Sequence, residues 1–83
     1  MQPKVKMYAL STCGHCGNAK KFLHEHDVPY ECTEVDMLEG SERAATIEEV
    51  KKINPRCTFP TIIVGNEIIV GFNEKEMRKA LGL

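Results

Sequence analysis

Two cysteines separated by two residues, Cys13 and Cys16, stand in the stretch Ser11-Thr12-Cys13-Gly14-His15-Cys16-Gly17. The stretch follows an apolar run from Val5 to Leu10 and opens a helical pattern that carries Ala19, Phe22 and Leu23. A strand running into a helix start would deliver Cys13 to backbone N–H groups that have no intrahelical partner. That positive helix end favours a thiolate over a thiol, so the spacing predicts a lowered pKa and a nucleophilic role for Cys13. Cys16, about one turn further on, is placed to attack a mixed disulfide formed at Cys13. Redox chemistry is therefore the first reading of this stretch.

The elements that must hold these cysteines follow from periodicity. Val5 to Leu10, apolar apart from Lys6, reads as a strand buried on both faces. Gly14 to Asp27 reads as a helix with Ala19, Phe22, Leu23 and His26 on its apolar side. Pro29 is expected to stop it, and Val28 to Asp36 reads as a second strand. Strand, helix, strand makes a crossover unit, so these two strands are expected to be parallel. Leu38 to Ser41 is a loop with Gly40, and Glu42 to Ile53 a second helix with Ala44, Ile47, Val50 and Ile53 on one face. Asn54-Pro55 ends that helix. Thr61–Val64 and Glu67–Val70 flank Gly65-Asn66, a two-residue hairpin signal. Asn73, with Glu76 three residues later, caps a short last helix whose stripe is Met77, Ala80 and Leu81. The sum is an α/β fold of order βαβαββα, a four-stranded mixed sheet flanked by three helices.

Composition narrows the function classes. The 83 residues make one domain, spanning 1–83, near the lower limit for a chain that folds without staples. A formal net charge of −1 offers no field for nucleic acid, and 28% charged residues argue against a membrane span. Met1 to Met7 lacks the apolar core of a secretory signal, so the expectation is a cytoplasmic protein, a monomer. In that compartment a CxxC is catalytic or metal-binding rather than a structural disulfide.

The order of elements, together with Tyr8-Ala9-Leu10-Ser11-Thr12-Cys13-Gly14-His15-Cys16, Thr58-Phe59-Pro60 and Val70-Gly71-Phe72-Asn73-Glu74, resembles the thioredoxin fold of the short glutaredoxin type. The resemblance covers essentially the whole chain. It implies a thiol–disulfide oxidoreductase, active in electron transfer and cell redox homeostasis, with Cys13 and Cys16 as its catalytic dithiol and no tightly bound cofactor. It also implies that Phe59-Pro60 is cis and that Thr58, Phe59 and Pro60 meet the substrate. The backbone of Phe59 would then pair with an extended peptide or with glutathione. Gly71, Phe72 and Asn73 are implied as further substrate contacts. Disulfide-containing proteins are the implied substrates, with glutathione or a thioredoxin reductase as electron donor.

Two departures bear on that donor. Glutaredoxins that use glutathione carry a lysine two residues after the first-strand tyrosine, where this chain has Leu10. They also carry Gly-Gly where this chain has Gly71-Phe72, a pairing more similar to the small redoxins that serve ribonucleotide reductase. The dipeptide Gly14-His15 is that of protein disulfide isomerases. Gly14 is expected to permit the turn into the helix, and His15 to stabilise the Cys13 thiolate, giving a pair more oxidising than thioredoxin.

The rival reading is a metal or [2Fe-2S] cluster-binding module built on the same cysteines, with Cys57 as a third ligand. No second CxxC supports it, and His24 and His26, two residues apart, point to different helix faces. Cys57 otherwise reads as a small semi-buried residue and Cys32 as core or edge packing. Lys20 and Lys21 read as solubilising residues, and Arg56 either as a carboxylate ligand or as an exposed loop arginine.

Overall fold

In the computed structural model, which describes residues 4–83, the Val5 run becomes an inner strand of a four-stranded sheet. Met1, Gln2 and Pro3, part of the N-terminal stretch read above, lie outside the described residues. The elements are β1 (Val5–Ala9), α1 (Gly14–Glu25), β2 (Glu31–Glu34), α2 (Gly40–Ile53), β3 (Thr61–Val64), β4 (Glu67–Val70) and α3 (Glu74–Leu81). A single 3-10 turn, Val35–Met37, follows β2. The sheet order is β2-β1-β3-β4. β1 pairs β2 in parallel, with Met7 opposite Cys32, and pairs β3 antiparallel, with Met7 opposite Ile62.

Strand alternation sends side chains to two separate cores. Val5, Met7 and Ala9 of β1 join Ile62, Val64 and Ile69 under α1 and α3, where Phe22, Leu23 and Met77 pack. Met7, Leu23, Ile62 and Met77 are fully buried, each worth about 1.5–3 kcal/mol of hydrophobic stabilisation. Tyr8 points the other way, into a smaller cluster with Val35 and Val50 beneath α2. The α2 layer stops short of β4, so Ile68 and Val70 are exposed. Along α2, Val50 is buried and Ile47 and Ile53 half-buried, whereas Ala44, read above as part of the apolar face, is exposed. Among the described residues no helix is long and apolar enough to cross a membrane.

The hairpin falls at the expected residues. Gly65 sits at φ 60 between β3 and β4, and of the two central residues it alone has positive φ, the type II′ arrangement that suits glycine in this place. α3 is capped by the Asn73 side chain, which accepts from the Glu76 N–H, as its sequence predicts.

β1 stops at Ala9 rather than Leu10, and α1, β2 and α2 also differ in extent from the sequence reading. α1 ends at Glu25, before Pro29 can act, because the Val28 N–H returns to Leu23 O (2.9 Å) and the Asp27 N–H to His24 O (3.2 Å). That pair of bonds is a Schellman closure, with Asp27 at φ 52 taking the left-handed position usually given to glycine. β2 is shorter than Val28–Asp36. Val28 is spent on the helix closure, Pro29 has no N–H, and β1 offers no partner beyond Ala9 opposite Glu34. α2 starts at Gly40 rather than Glu42, since the Arg43 N–H already bonds Glu39 O.

Candidate active site

β1 ends at Ala9, the chain turns through Leu10 to Thr12, and the Cys13 N–H bonds back to Leu10 O at 3.1 Å. Cys13 is thereby the N-cap of α1, with extended backbone angles (φ −83, ψ 119). Its Sγ accepts from the Cys16 N–H at 3.3 Å, the bond an N-capping oxygen would make. No acidic residue lies in the first turn to oppose an anion there. The nucleophile of the sequence reading is thus itself the helix cap.

The two thiols have opposite electrostatics. Cys13 is half-buried and its pKa is lowered, first by a hydrogen bond from the Cys16 thiol and then by the backbone N–H groups of Cys16 and His15; desolvation partly opposes them. Cys16 is buried in the α1 core, and that burial, followed by the hydrogen bond to Cys13, pushes its thiol up to about 11. The surroundings thus favour the thiolate at Cys13 and the protonated thiol at Cys16. All four cysteines are free, the dithiol form of the site.

The Thr58-Phe59-Pro60 stretch meets these cysteines from the other side of the chain. Cys13 Sγ lies 3.8 Å from Phe59 O, and the Phe59-Pro60 peptide is cis, as expected. No hydrogen bond occupies the Phe59 amide among the described residues. Gly71, at φ 80, donates its N–H to Pro60 O at 2.8 Å, which brings the start of the β4–α3 connection to the same place.

Several residues are used differently from the sequence reading. Gly14 is not at positive φ, and a Cβ there would meet nothing within 4 Å, so the turn into α1 does not depend on its being glycine. The turn is made by the residues before it. His15 reaches Cys13 through its backbone N–H; its imidazole is exposed and forms no hydrogen bond with the sulfur among the described residues. The Phe72 ring packs on Phe22 at 5.9 Å, beside Asn73, which caps α3 as read from the sequence. Lys20 is ion-paired with Glu34 at 2.8 Å, tying α1 to β2, while Lys21 and Arg56 are exposed. His26 Nδ1 bonds Phe22 O and His24 bonds the Tyr30 hydroxyl, so neither is simply solvated. Cys32 lies on the edge strand β2, the second of the two places read for it, and is exposed there.

The anchoring role of Asn54 escaped the sequence reading. Asn54 reads as a helix stop, yet it is 2% exposed and its Nδ2 donates to Thr58 O (3.1 Å), Thr58 Oγ1 (3.1 Å) and Thr61 Oγ1 (3.0 Å). Thr61 Oγ1 in turn donates to Thr58 O at 2.7 Å. This network pins both ends of the segment that carries Phe59 and Pro60. The only advance signal is an asparagine four residues before a Thr-x-Pro, which by itself reads as local turn chemistry.

Two concavities lie near cysteines. A broad depression of about 750 Å³ sits at the far end of α1, lined by His24, Asp27, Pro29, Tyr30 and Cys32 among others, and includes neither Cys13 nor Cys16. A smaller one of about 260 Å³ is lined by Leu10, Val35, Ile47, Cys57 and Phe59, with Asp36 and Arg43 at its polar side. The smaller one adjoins the redox pair, because Leu10 and Phe59 are the residues whose carbonyls face Cys13. Among the described residues no group of three His, Cys, Asp or Glu side chains is arranged to hold a metal ion.

A sequence profile described as Glutaredoxin matches residues 5–69. The chain belongs to the glutaredoxin family. Among solved structures it is similar to Methanosarcina acetivorans methanoredoxin, at 44% identity and a TM-score of 0.92, covering 98% of this chain and 86% of that one. It is also similar to the glutaredoxin of Methanosarcina mazei Go1, at 46% identity and a TM-score of 0.88, covering 98% and 80%. A mitochondrial glutaredoxin-2 of Mus musculus is 31% identical over 67 residues, 81% of this chain and 42% of that protein. The chain thus spans less than half the length of this relative. These likenesses bear out the thioredoxin-like glutaredoxin fold and support thiol–disulfide oxidoreductase function.

Proposed function

We propose that this chain is a dithiol–disulfide oxidoreductase that reduces protein or glutathione mixed disulfides, with Cys13 as nucleophile and Cys16 as resolving thiol. The observation that carries the reading is the pairing of a helix-capping Cys13 sulfur with a buried, proton-holding Cys16. In the first step the Cys13 thiolate attacks one sulfur of the substrate disulfide. A Cys13–substrate disulfide forms, and the other substrate sulfur leaves as a thiolate that takes a proton from solvent. The mixed disulfide lies beside the Phe59 backbone, whose N–H and C=O can pair with an extended substrate.

Formation of that intermediate consumes the Cys13 negative charge and its hydrogen bond with the Cys16 thiol. Both had held the Cys16 proton in place, so their loss makes Cys16 easier to ionise at the moment it is needed. Cys16 then loses its proton and attacks Cys13 Sγ. The substrate leaves as a second thiolate, reduced by the two electrons that the dithiol loses as it becomes the Cys13–Cys16 disulfide. A dithiol or two thiols of the donor must then reduce that disulfide.

The donor is tested by turnover of a glutathione mixed disulfide with glutathione as sole reductant, run beside a thioredoxin reductase system. Turnover with glutathione means that Leu10 and Phe72 are compatible with glutathione use. Turnover only with the reductase places the chain among redoxins served by that enzyme. Failure to reduce any disulfide with either donor, or with dithiothreitol, overturns the reading.

A further inference from the structure

We infer that the small pocket beside Cys13 selects substrates by an apolar side chain carried within two residues of the reacting half-cystine. The inference rests on the oxidoreductase reading above and adds a substrate class to it. Three separated parts of the chain build the pocket: Leu10 from the turn before Cys13, Ile47 from α2, and Cys57 with Phe59 from the segment before Pro60. Val35 closes it from below, itself buried against Tyr8 and Val50.

Its charged neighbours are already engaged within the protein. Both carboxylate oxygens of Asp36 accept from Ser11, one from the backbone N–H at 2.9 Å and the other from the hydroxyl. The Arg43 guanidinium donates to Leu38 O at 2.8 Å and to Asp36 O at 3.0 Å. The walls away from that polar side are apolar, formed by Leu10, Val35, Ile47 and Phe59. At about 260 Å³ the pocket is below the size of a typical cofactor or drug site and suits one side chain.

Continuity with the redox site fixes what that side chain belongs to. Phe59 lines the pocket, and its carbonyl lies 3.8 Å from Cys13 Sγ. A peptide bonded to Cys13 and laid along the Phe59 backbone therefore has a neighbouring residue above the pocket. Leucine, isoleucine, methionine or phenylalanine at that place would displace water from apolar walls. Glycine would leave the pocket wet, and aspartate would set its charge against apolar walls beside the Asp36 carboxylate.

The test is a set of peptide disulfides in a glycine frame, with leucine, glycine or aspartate placed in turn at the −2, −1, +1 and +2 positions from the half-cystine. The readout is kcat/KM within one enzyme preparation. At one position leucine should exceed glycine about 10-fold or more, the scale of discrimination an apolar pocket gives. Ile47→Phe, which fills the pocket, should reduce that ratio to about 2-fold or less. Leu10→Lys should reverse the order of leucine and aspartate. Because each result is a ratio between substrates of one variant, partial misfolding scales both terms and leaves the ratio intact. Equal kcat/KM for all peptides at all four positions, with every peptide reduced, would overturn the pocket inference and leave the oxidoreductase reading standing. If no peptide is reduced, the oxidoreductase reading fails and the pocket inference falls with it.

Discussion

Replacing Asn54 by alanine tests whether the network beside the redox pair is what holds Phe59 and Pro60 in place. The Nδ2 group reaches three oxygens, and because it has only two hydrogens one of those bonds is shared. Thr61 Oγ1 keeps its own bond to Thr58 O, so one link of the network survives the substitution. Two net hydrogen bonds at about 0.5–1.5 kcal/mol each, plus the exposure of buried acceptors to an empty space, give a loss of about 2–3 kcal/mol. In a domain of this size that corresponds to a fall in Tm of about 10–20 °C. Thermal unfolding of the reduced protein measures it directly. A second arm separates structure from chemistry. Asn54 does not touch Cys13, so iodoacetamide should alkylate Cys13 at close to the wild-type rate in the folded variant. The KM for a peptide disulfide should rise, because the Phe59 backbone is no longer fixed. A Tm within about 2 °C of wild type, with unchanged KM, would refute the assignment of Asn54 as the anchor of this segment.

Other substitutions and conditions give independent checks. Gly14→Ala should stabilise the reduced domain by about 0.5–1 kcal/mol in urea titration, because the site is open, helical and without positive φ. A loss of stability there would mean that the turn into α1 needs glycine after all. Asp27→Gly should stabilise by a similar amount, about 0.5–1 kcal/mol, by relieving a left-handed aspartate at the α1 closure. Alkylation at pH 7 should label Cys13 well before Cys16, and the pH profile of Cys13 labelling should have its midpoint below that of an ordinary cysteine. Cys16 has the opposite sign: its folded pKa lies above its unfolded one, so the stability it contributes is complete below the unfolded value. That contribution is lost as pH rises toward about 11, and Cys16→Ser should flatten this alkaline limb in denaturation curves.

The sequence carried the order of elements well because each apolar period had one reading. Val5 to Leu10 alternates between two cores, and Gly65-Asn66 stands between two short β-branched runs. The ends of α1 and β2 were not legible for the same physical reason. Asp27 adopts a left-handed closure that its residue type does not announce, and this closure takes Val28 away from the strand. The CxxC pair could be read because its chemistry is local, the cap and its first turn lying within four residues. Asn54 could not, since its acceptors at Thr58 and Thr61 converge on it only after the chain has doubled back. The apolar pocket was hidden in the same way. Leu10 was visible as a departure from a lysine, but its neighbours Ile47, Cys57 and Phe59 come from other elements.

The central claim is that Cys13 attacks first and Cys16 resolves. Cys16→Ser, incubated with a peptide disulfide, quenched in acid and weighed by intact mass spectrometry with peptide mapping, tests it most directly. The account predicts one substrate half bound per chain, mapped to Cys13, accumulating to completion, with no such adduct in Cys13→Ser. Undiminished turnover by Cys13→Ser, or an adduct that maps to Cys32 or Cys57 instead, would contradict it.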